Sequence, residues 1–271
     1  MKKTGLKRQQ GDKFYTNKEV VNKCMQTTKA HISLENMLVI EPSAGSGAFI
    51  AEIKRSTTLY RFYDVDPQHP DVIKCDFLSV DLGFERQHPV CFIGNPPFGR
   101  QSSLAIKFIR KCCTIAQFVC FILPSSFKKD SMRKHFPLNF HLLHESDIQE
   151  NGFVIDGRTH NVPCVFQIWE KRDTERSVIA KEEPTGFTFV KKQENPDIAF
   201  RRVGVNAGAV YEDTEGRSEQ SHYFIKFDDE LEREICISSI RQLTYPSHNT
   251  VGPKSISKQE LTARLNEKLK S

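Results

Sequence analysis

The residues of this 271-residue chain best equipped for chemistry are Gly94-Asn95-Pro96-Pro97-Phe98-Gly99-Arg100. They follow Val90-Cys91-Phe92-Ile93, an apolar run short enough to be a buried strand. Neither proline can donate to a ladder, so the chain must turn off the sheet at that point. Asn95 and Phe98 are thereby presented at the carboxyl end of a strand, where open α/β sheets bind ligands. An amide carbonyl beside a rigid, donor-poor turn and an aromatic face suits a planar amino group.

A second group lies upstream. Met37-Leu38-Val39-Ile40 runs into Glu41-Pro42-Ser43-Ala44-Gly45-Ser46-Gly47-Ala48-Phe49, and Phe49, Ile50 and Ile53 then follow helical spacing. This strand, glycine turn and helix open a nucleoside-binding α/β unit, although a lone GxG is a weak signal. Glu41 disfavours a pyrophosphate there, because it would put one negative charge beside another. The next apolar run, Leu59–Tyr63, ends at Asp64, roughly 20 residues after the turn, where ribose hydroxyls are bound. Val72-Ile73-Lys74-Cys75 is followed by Asp76-Phe77. Singly, each of these is an ordinary turn residue. In this order they describe an adenosine pocket: hydroxyls on Asp64, the exocyclic amine on Asp76, and a Phe77 ring against the base.

The elements that must position these groups alternate. A capped helix begins at Thr16 or Asn17, with Glu19 placed to close a capping box from Thr16. Ser103 to Ile115 is helical, Gln117–Leu123 a continuous apolar strand, and Lys128–His135 a basic helix. Strands follow at Phe140–Leu143 and Val162–Trp169, with a polar loop over 146–161 between them. The pattern predicts an α/β protein with a mainly parallel sheet and helices on both faces. Residues 1–11 are expected to be a basic tail, and 12–173 the catalytic domain. After the charged stretch Lys171–Arg176, a small region over 174–271 is β-rich or α+β, ending in an amphipathic helix from Ser257 to Leu269.

Hydrophobic residues at 38% and charged residues at 27% describe a globular protein, and net charge +5 permits a polyanionic partner without requiring one. Eight dispersed cysteines, none in a CxxC pair, fit reduced core thiols and not a disulfide frame or zinc site. The scattered histidines suggest no metal. No run approaches ~18 apolar residues, so no membrane span is expected. The basic N-terminus lacks the apolar core of a secretory signal, so an intracellular site, cytoplasmic or nuclear, is expected.

Asp12-Lys13-Phe14-Tyr15-Thr16, the glycine turn, Asp64, Asp76-Phe77 and Asn95-Pro96-Pro97-Phe98, in this order, give the chain a likeness over residues 12–170. It resembles the S-adenosylmethionine-dependent amino-methyltransferases, especially the N6-adenine DNA methyltransferases of restriction-modification systems. The resemblance implies a seven-stranded Rossmann-like methyltransferase sheet and S-adenosylmethionine as cofactor, with S-adenosylhomocysteine as product and no metal. It implies that Phe14, Tyr15, Thr16, Glu41, Pro42, Ser43, Gly45, Gly47, Asp64, Val65, Asp76, Phe77 and Asn95 line the cofactor. Thr16 and the adjoining helix N-terminus would take the methionyl carboxylate. Asn95, Pro96, Pro97 and Phe98 would carry catalysis. Phe98, Phe127 and Phe153 would meet the substrate base. Outside the resemblance, the basic, glycine-bearing segment Phe200–Gly208 reads either as a backbone-phosphate contact through Arg201 and Arg202 or as an ordinary basic strand and turn. The implied partner is nucleic acid, DNA before RNA, with an adenine flipped into the site. An RNA adenine methyltransferase is the alternative. A protein-glutamine methyltransferase, which usually has Tyr where Phe98 stands, and a catalytically silent binding module rank behind it.

Overall fold

A computed structural model describes residues 15–83, 87–148, 152–155, 158–160, 162–177, 181–245 and 255–269. The expected tail and Phe14 lie outside the described residues. The chain forms two compact units, the first ending at Ser177 and the second continuing from there.

In chain order the first unit contains β1 (Tyr15–Thr16), α1 (Lys18–His31), β2 (Leu38–Glu41), α2 (Ile50–Ser56), β3 (Tyr60–Asp64), β4 (Ile73–Lys74) and β5 (Val90–Gly94). There follow α3 (Ser103–Cys112), β6 (Ala116–Pro124), the single turn α4 (Asp130–Arg133), β7 (Phe140–Asp147), β8 (Phe153–Ile155), β9 (Arg158–His160) and β10 (Cys164–Lys171). Seven strands form one Rossmann-like sheet in the order β4-β3-β2-β5-β6-β10-β7. The pairs from β4 to β6 are parallel; β10 runs antiparallel between β6 and β7.

Both faces of this sheet are covered, which explains the unbroken apolar runs. Val39, Cys91, Ile93, Cys120 and Ile122 pack on one side with Val20, Val21, Cys24 and Met25 of α1 and Ile50 and Ile53 of α2. Ile40, Phe92, Val119, Phe121 and Leu123 pack on the other with Ala105, Phe108, Ile109 and Cys112 of α3. Asn17, not Thr16, caps α1: its side chain accepts from the Glu19 amide at 2.8 Å. The cysteines carry free thiols, all buried except the half-buried Cys75.

Three expectations are corrected. The segment 146–161 is not a plain loop: β7 extends to Asp147, and β8 and β9 form a hairpin that pairs with β1. The basic helix shrinks to α4, preceded by a 3-10 turn over Ser125–Lys128. The strand near Val72 narrows to Ile73–Lys74.

A polar network ties β10 to β7, to the 3-10 turn over Ser125–Lys128 and to α4. Gln167 Nε2 donates to the Phe127 carbonyl at 3.1 Å and to Glu145 at 2.6 Å. Trp169 Nε1 donates to Gln167 Oε1 at 2.9 Å, and Arg133 donates to Glu145 at 2.9 Å. Gln167→Leu would strand the indole N–H in the core. The expected loss is about 1–3 kcal/mol, read as a lower denaturant midpoint with an unchanged slope.

The second unit has a four-stranded antiparallel sheet of β11 (Phe187–Val190), β12 (Ile198–Arg201), β13 (Val210–Tyr211) and β14 (His222–Phe227), in the order β11-β14-β12-β13. Two helices, α5 (Arg233–Arg241) and α6 (Lys258–Leu269), pack Ile237, Ile240, Leu261 and Leu265 against Phe187, Phe200, Ile225 and Phe227. A capping box starts α6, with Glu260 N donating to Ser257 Oγ at 3.1 Å and Ser257 N to Glu260 at 2.9 Å.

Candidate active site

Chain order reverses direction at β2: the strands next in sequence, β3 and β4, lie to one side, and β5 and β6 to the other. The carboxyl ends of β2 and β5 therefore form the switch-point crevice where such sheets hold ligands. Glu41 ends β2, and Gly94-Asn95 ends β5. A Cβ added to Gly94, which holds φ +150°, would lie 3.1 Å from Glu41 Cγ, so glycine eases the close approach of the two strand ends.

Glu41 is 2% exposed, and its Oε2 has no hydrogen-bond partner among the described residues. Burial, with the Asp64 charge adding to it, pushes the Glu41 carboxyl well above the usual glutamate range. An unpaired buried carboxylate is costly and calls for a partner. A cationic ligand group would supply one.

The glycine turn wraps around this point. Gly47 holds φ +83°, and a Cβ there would meet Ile50 Cδ1 at 2.8 Å and the His69 ring at 2.9 Å. Gly45 N donates to Asp64 Oδ2 at 2.8 Å, and Asp66 N to Asp64 Oδ1 at 2.8 Å. Each carboxylate oxygen of Asp64 keeps a lone pair for a ligand hydroxyl. Asp76 caps the 3-10 turn Phe77–Ser79, accepting from Leu78 N at 3.0 Å. Pro42 is buried and Ser43 half-buried beside the turn.

Two aromatic assignments are corrected. Phe77 is 1% exposed, packed among Tyr63, Phe92 and Phe108, so its ring supports the core and does not face a base. The exposed apolar surface next to the acidic strand ends is Val65, 62% exposed, together with Ile73 on β4. Phe127 is fully buried, and its carbonyl anchors Gln167. It packs the core and offers no face to a substrate.

At the second turn, Pro96 is buried, Pro97 exposed and Phe98 half-buried against both cores. The Phe98 carbonyl accepts from Leu104 N at 3.1 Å and Ala105 N at 3.3 Å, pinning the turn to the start of α3. Between them Gln101 and Ser102 hold φ of 52° and 61°, a left-handed pair of the kind that collects at functional turns. Two hydroxyls fix Asn95: Ser43 Oγ donates to its main-chain carbonyl at 3.3 Å, and its Nδ2 donates to Thr16 Oγ1 at 3.3 Å. The glycine turn, β1 and the Asn-Pro-Pro-Phe turn thus meet at one residue.

The other candidates fall elsewhere. Tyr15 and Phe153 belong to paired strands, Thr16 lying opposite Phe153 and Tyr15 opposite Val154; their side chains lie outside the described residues. Arg201 and Arg202 belong to the second unit. Arg201 donates to the Val203 carbonyl at 2.8 Å and to Ser221 Oγ at 3.2 Å, and Arg202 to the Gln220 carbonyl at 2.9 Å. Both guanidinium groups are thus committed in part to local structure. Among the described residues, no group of three or more His, Cys, Asp or Glu is placed to hold a metal ion, and no helix is long and apolar enough to cross a membrane.

No family profile and no curated protein sequence matches the chain. Solved structures resemble it remotely. A suspected RNA methyltransferase from Pyrococcus horikoshii is 15% identical at a TM-score of 0.47, over 62% of this chain and 92% of its own. The 23S rRNA methyltransferase ErmE is 16% identical at a TM-score of 0.45, over 60% of this chain and 71% of its own. A modification subunit of a suspected type I restriction enzyme from Vibrio vulnificus is 14% identical at a TM-score of 0.46, over 59% of this chain and 45% of its own.

Proposed function

We propose that the protein is an S-adenosylmethionine-dependent methyltransferase acting on the exocyclic amino group of adenine in nucleic acid, with DNA as the first substrate. The observation that carries this reading is the meeting, at one switch-point crevice, of the buried Glu41 carboxyl, whose Oε2 has no partner among the described residues, a glycine turn and the Asn-Pro-Pro-Phe turn.

The residues fit the cofactor. Glu41 offers a buried carboxylate to a cationic group, Asp64 offers acceptors to the ribose hydroxyls, and Val65 an apolar face to the adenine. Asp76 retains acceptor capacity for the adenine amine beyond its capping bond. When bound, the cofactor supplies a methyl group on a sulfonium centre. The lone pair of an adenine amino nitrogen is delocalised into the ring and is a poor nucleophile. The Asn95 side-chain carbonyl and the Pro96 main-chain carbonyl would accept its two N–H bonds, favour a pyramidal nitrogen and stabilise positive charge as it develops. Phe98 would stack on the base, and the turn would hold the nitrogen in line for transfer.

The charge distribution bears on which nucleic acid is bound. Through Ser177 the chain has 25 Lys and Arg against 19 Asp and Glu; beyond it, 14 against 15. The excess positive charge belongs to the first unit, so the second lacks the basic balance of a phosphate-gripping reader of duplex DNA. This supports RNA adenine as the second reading. Labelled methyl transfer to duplex DNA, single-stranded DNA, total RNA and a protein extract, run in parallel, separates the readings. Label confined to protein would overturn both nucleic-acid readings.

Glu41 adds a pH prediction. Its carboxyl titrates above the ordinary range in the ligand-free fold, so the folded state holds a proton that the unfolded chain releases. Stability of the ligand-free protein should therefore fall as pH rises from the ordinary glutamate range through the raised value. A cationic ligand would ionise the group, so cofactor binding should release a proton, measurable as a buffer-dependent calorimetric enthalpy. Glu41→Gln should abolish that dependence.

A further inference from the structure

Thr16 stands, in the resemblance, as a ligand for the cofactor's carboxylate; the geometry gives its hydroxyl another task. We infer that Thr16 is a positioning residue for the catalytic amide, an inference that rests on the methyl-transfer reading. Asn95 Nδ2 donates to Thr16 Oγ1 at 3.3 Å. A side-chain amide has a donor end and an acceptor end on opposite sides of one carbon, so fixing the nitrogen fixes where the oxygen points. The methyl-transfer chemistry needs the oxygen, since only an acceptor can take an N–H of the target amine. An amide turned over would present N–H groups to N–H groups and repel the substrate. Ser43 holds the main-chain carbonyl of the same residue at 3.3 Å but leaves the rotation of the side chain unset. The bond from Nδ2 to Thr16 Oγ1 supplies that setting.

The position of that hydroxyl is not set by the central sheet. Thr16 lies on β1, which pairs with β8 of the hairpin, Thr16 opposite Phe153. The next residue closes the arrangement, Asn17 N donating to the Gly152 carbonyl at 3.0 Å, and its side chain caps α1. Thr16 is thus held between a hairpin that follows β7 and the first turn of α1, and reaches across to the end of β5. A segment distant in sequence from the Asn-Pro-Pro-Phe turn thereby sets the orientation of its amide.

The test is Thr16→Val, which keeps the β-branched shape suited to a strand and removes the hydroxyl. With wild-type protein active on a nucleic-acid substrate, the variant should lose about ten- to a hundredfold in kcat at saturating S-adenosylmethionine. Its cofactor Kd by calorimetry should stay within about twofold of wild type. Thr16→Ser, which restores the hydroxyl, should recover most of kcat; a merely structural role would not be rescued this way. If Thr16→Val weakens cofactor binding while kcat at saturation holds, the hydroxyl serves the cofactor and the inference is overturned. Unchanged kcat and unchanged Kd overturn it equally. A wild-type protein that methylates no nucleic acid overturns the methyl-transfer reading itself, and the inference with it.

Discussion

Asn95→Ala should lower methyl transfer by at least about a hundred- to a thousandfold while cofactor affinity stays near that of wild type. The size follows from removing one preorganised group aimed at charge that develops in the transition state. The selectivity follows from what the residue touches. Its side chain bonds Thr16, and its main chain, which the substitution leaves intact, accepts from Ser43. Gly45 and Asp64 hold one another through a bond that does not involve the amide. Single-turnover kinetics with labelled cofactor, alongside calorimetric binding, separates the two effects. Retained turnover in the variant would reject Asn95 as the catalytic residue. Asn95→Asp is a useful companion: it keeps the shape and an acceptor, but it adds a negative charge at the end of β5, so cofactor affinity should move as well.

The parts of this molecule that were legible in the sequence share a physical cause. Strands β2, β5 and β6 are buried on both faces and read as unbroken apolar runs. The turns after β2 and β5 are written in glycine and proline, whose backbone limits act whatever surrounds them. Tertiary context decided the rest. Phe77 and Phe127 adjoin strand ends and look like ligand faces, but only packing decides which way a ring at such a turn points; both point inward. The hairpin of β8 and β9 was read as loop because its strands are short and its flanks polar. The Asp156-Gly157 pair, a strong hairpin signal in sequence, was the available clue. Helix α5, Arg-Glu-Ile-Cys-Ile-Ser-Ser-Ile-Arg, is built from residues of middling helix propensity, and burial of Cys236, Ile237 and Ile240 supplies the drive. The Asn95–Thr16 bond joins residues 79 apart, so no local pattern could announce it.

Asp64→Ala should do the reverse of Asn95→Ala, striking cofactor binding first. Two losses combine in it. The ribose hydroxyls would lose a charged acceptor, worth about 1.5–3 kcal/mol per bond, or roughly ten- to a hundredfold in affinity. The glycine turn would lose its tether, since Gly45 N donates to Asp64 Oδ2 at 2.8 Å and would be left seeking another acceptor. Asp64→Asn divides the two: it keeps an amide oxygen for Gly45 while giving up the charge, so its defect should be the smaller. The same substitutions also report on Glu41, whose carboxyl is raised first by burial and then by the Asp64 charge. Removing that charge should let Glu41 ionise at lower pH, so the proton released on cofactor binding should diminish in both variants. At saturating cofactor, turnover should recover toward wild type, because Asp64 anchors the glycine turn through the Gly45 and Asp66 amides. Unchanged cofactor affinity in Asp64→Ala would transfer the ribose role to Asp66, whose amide is already bound to Asp64 and whose own carboxylate lies exposed at the next turn.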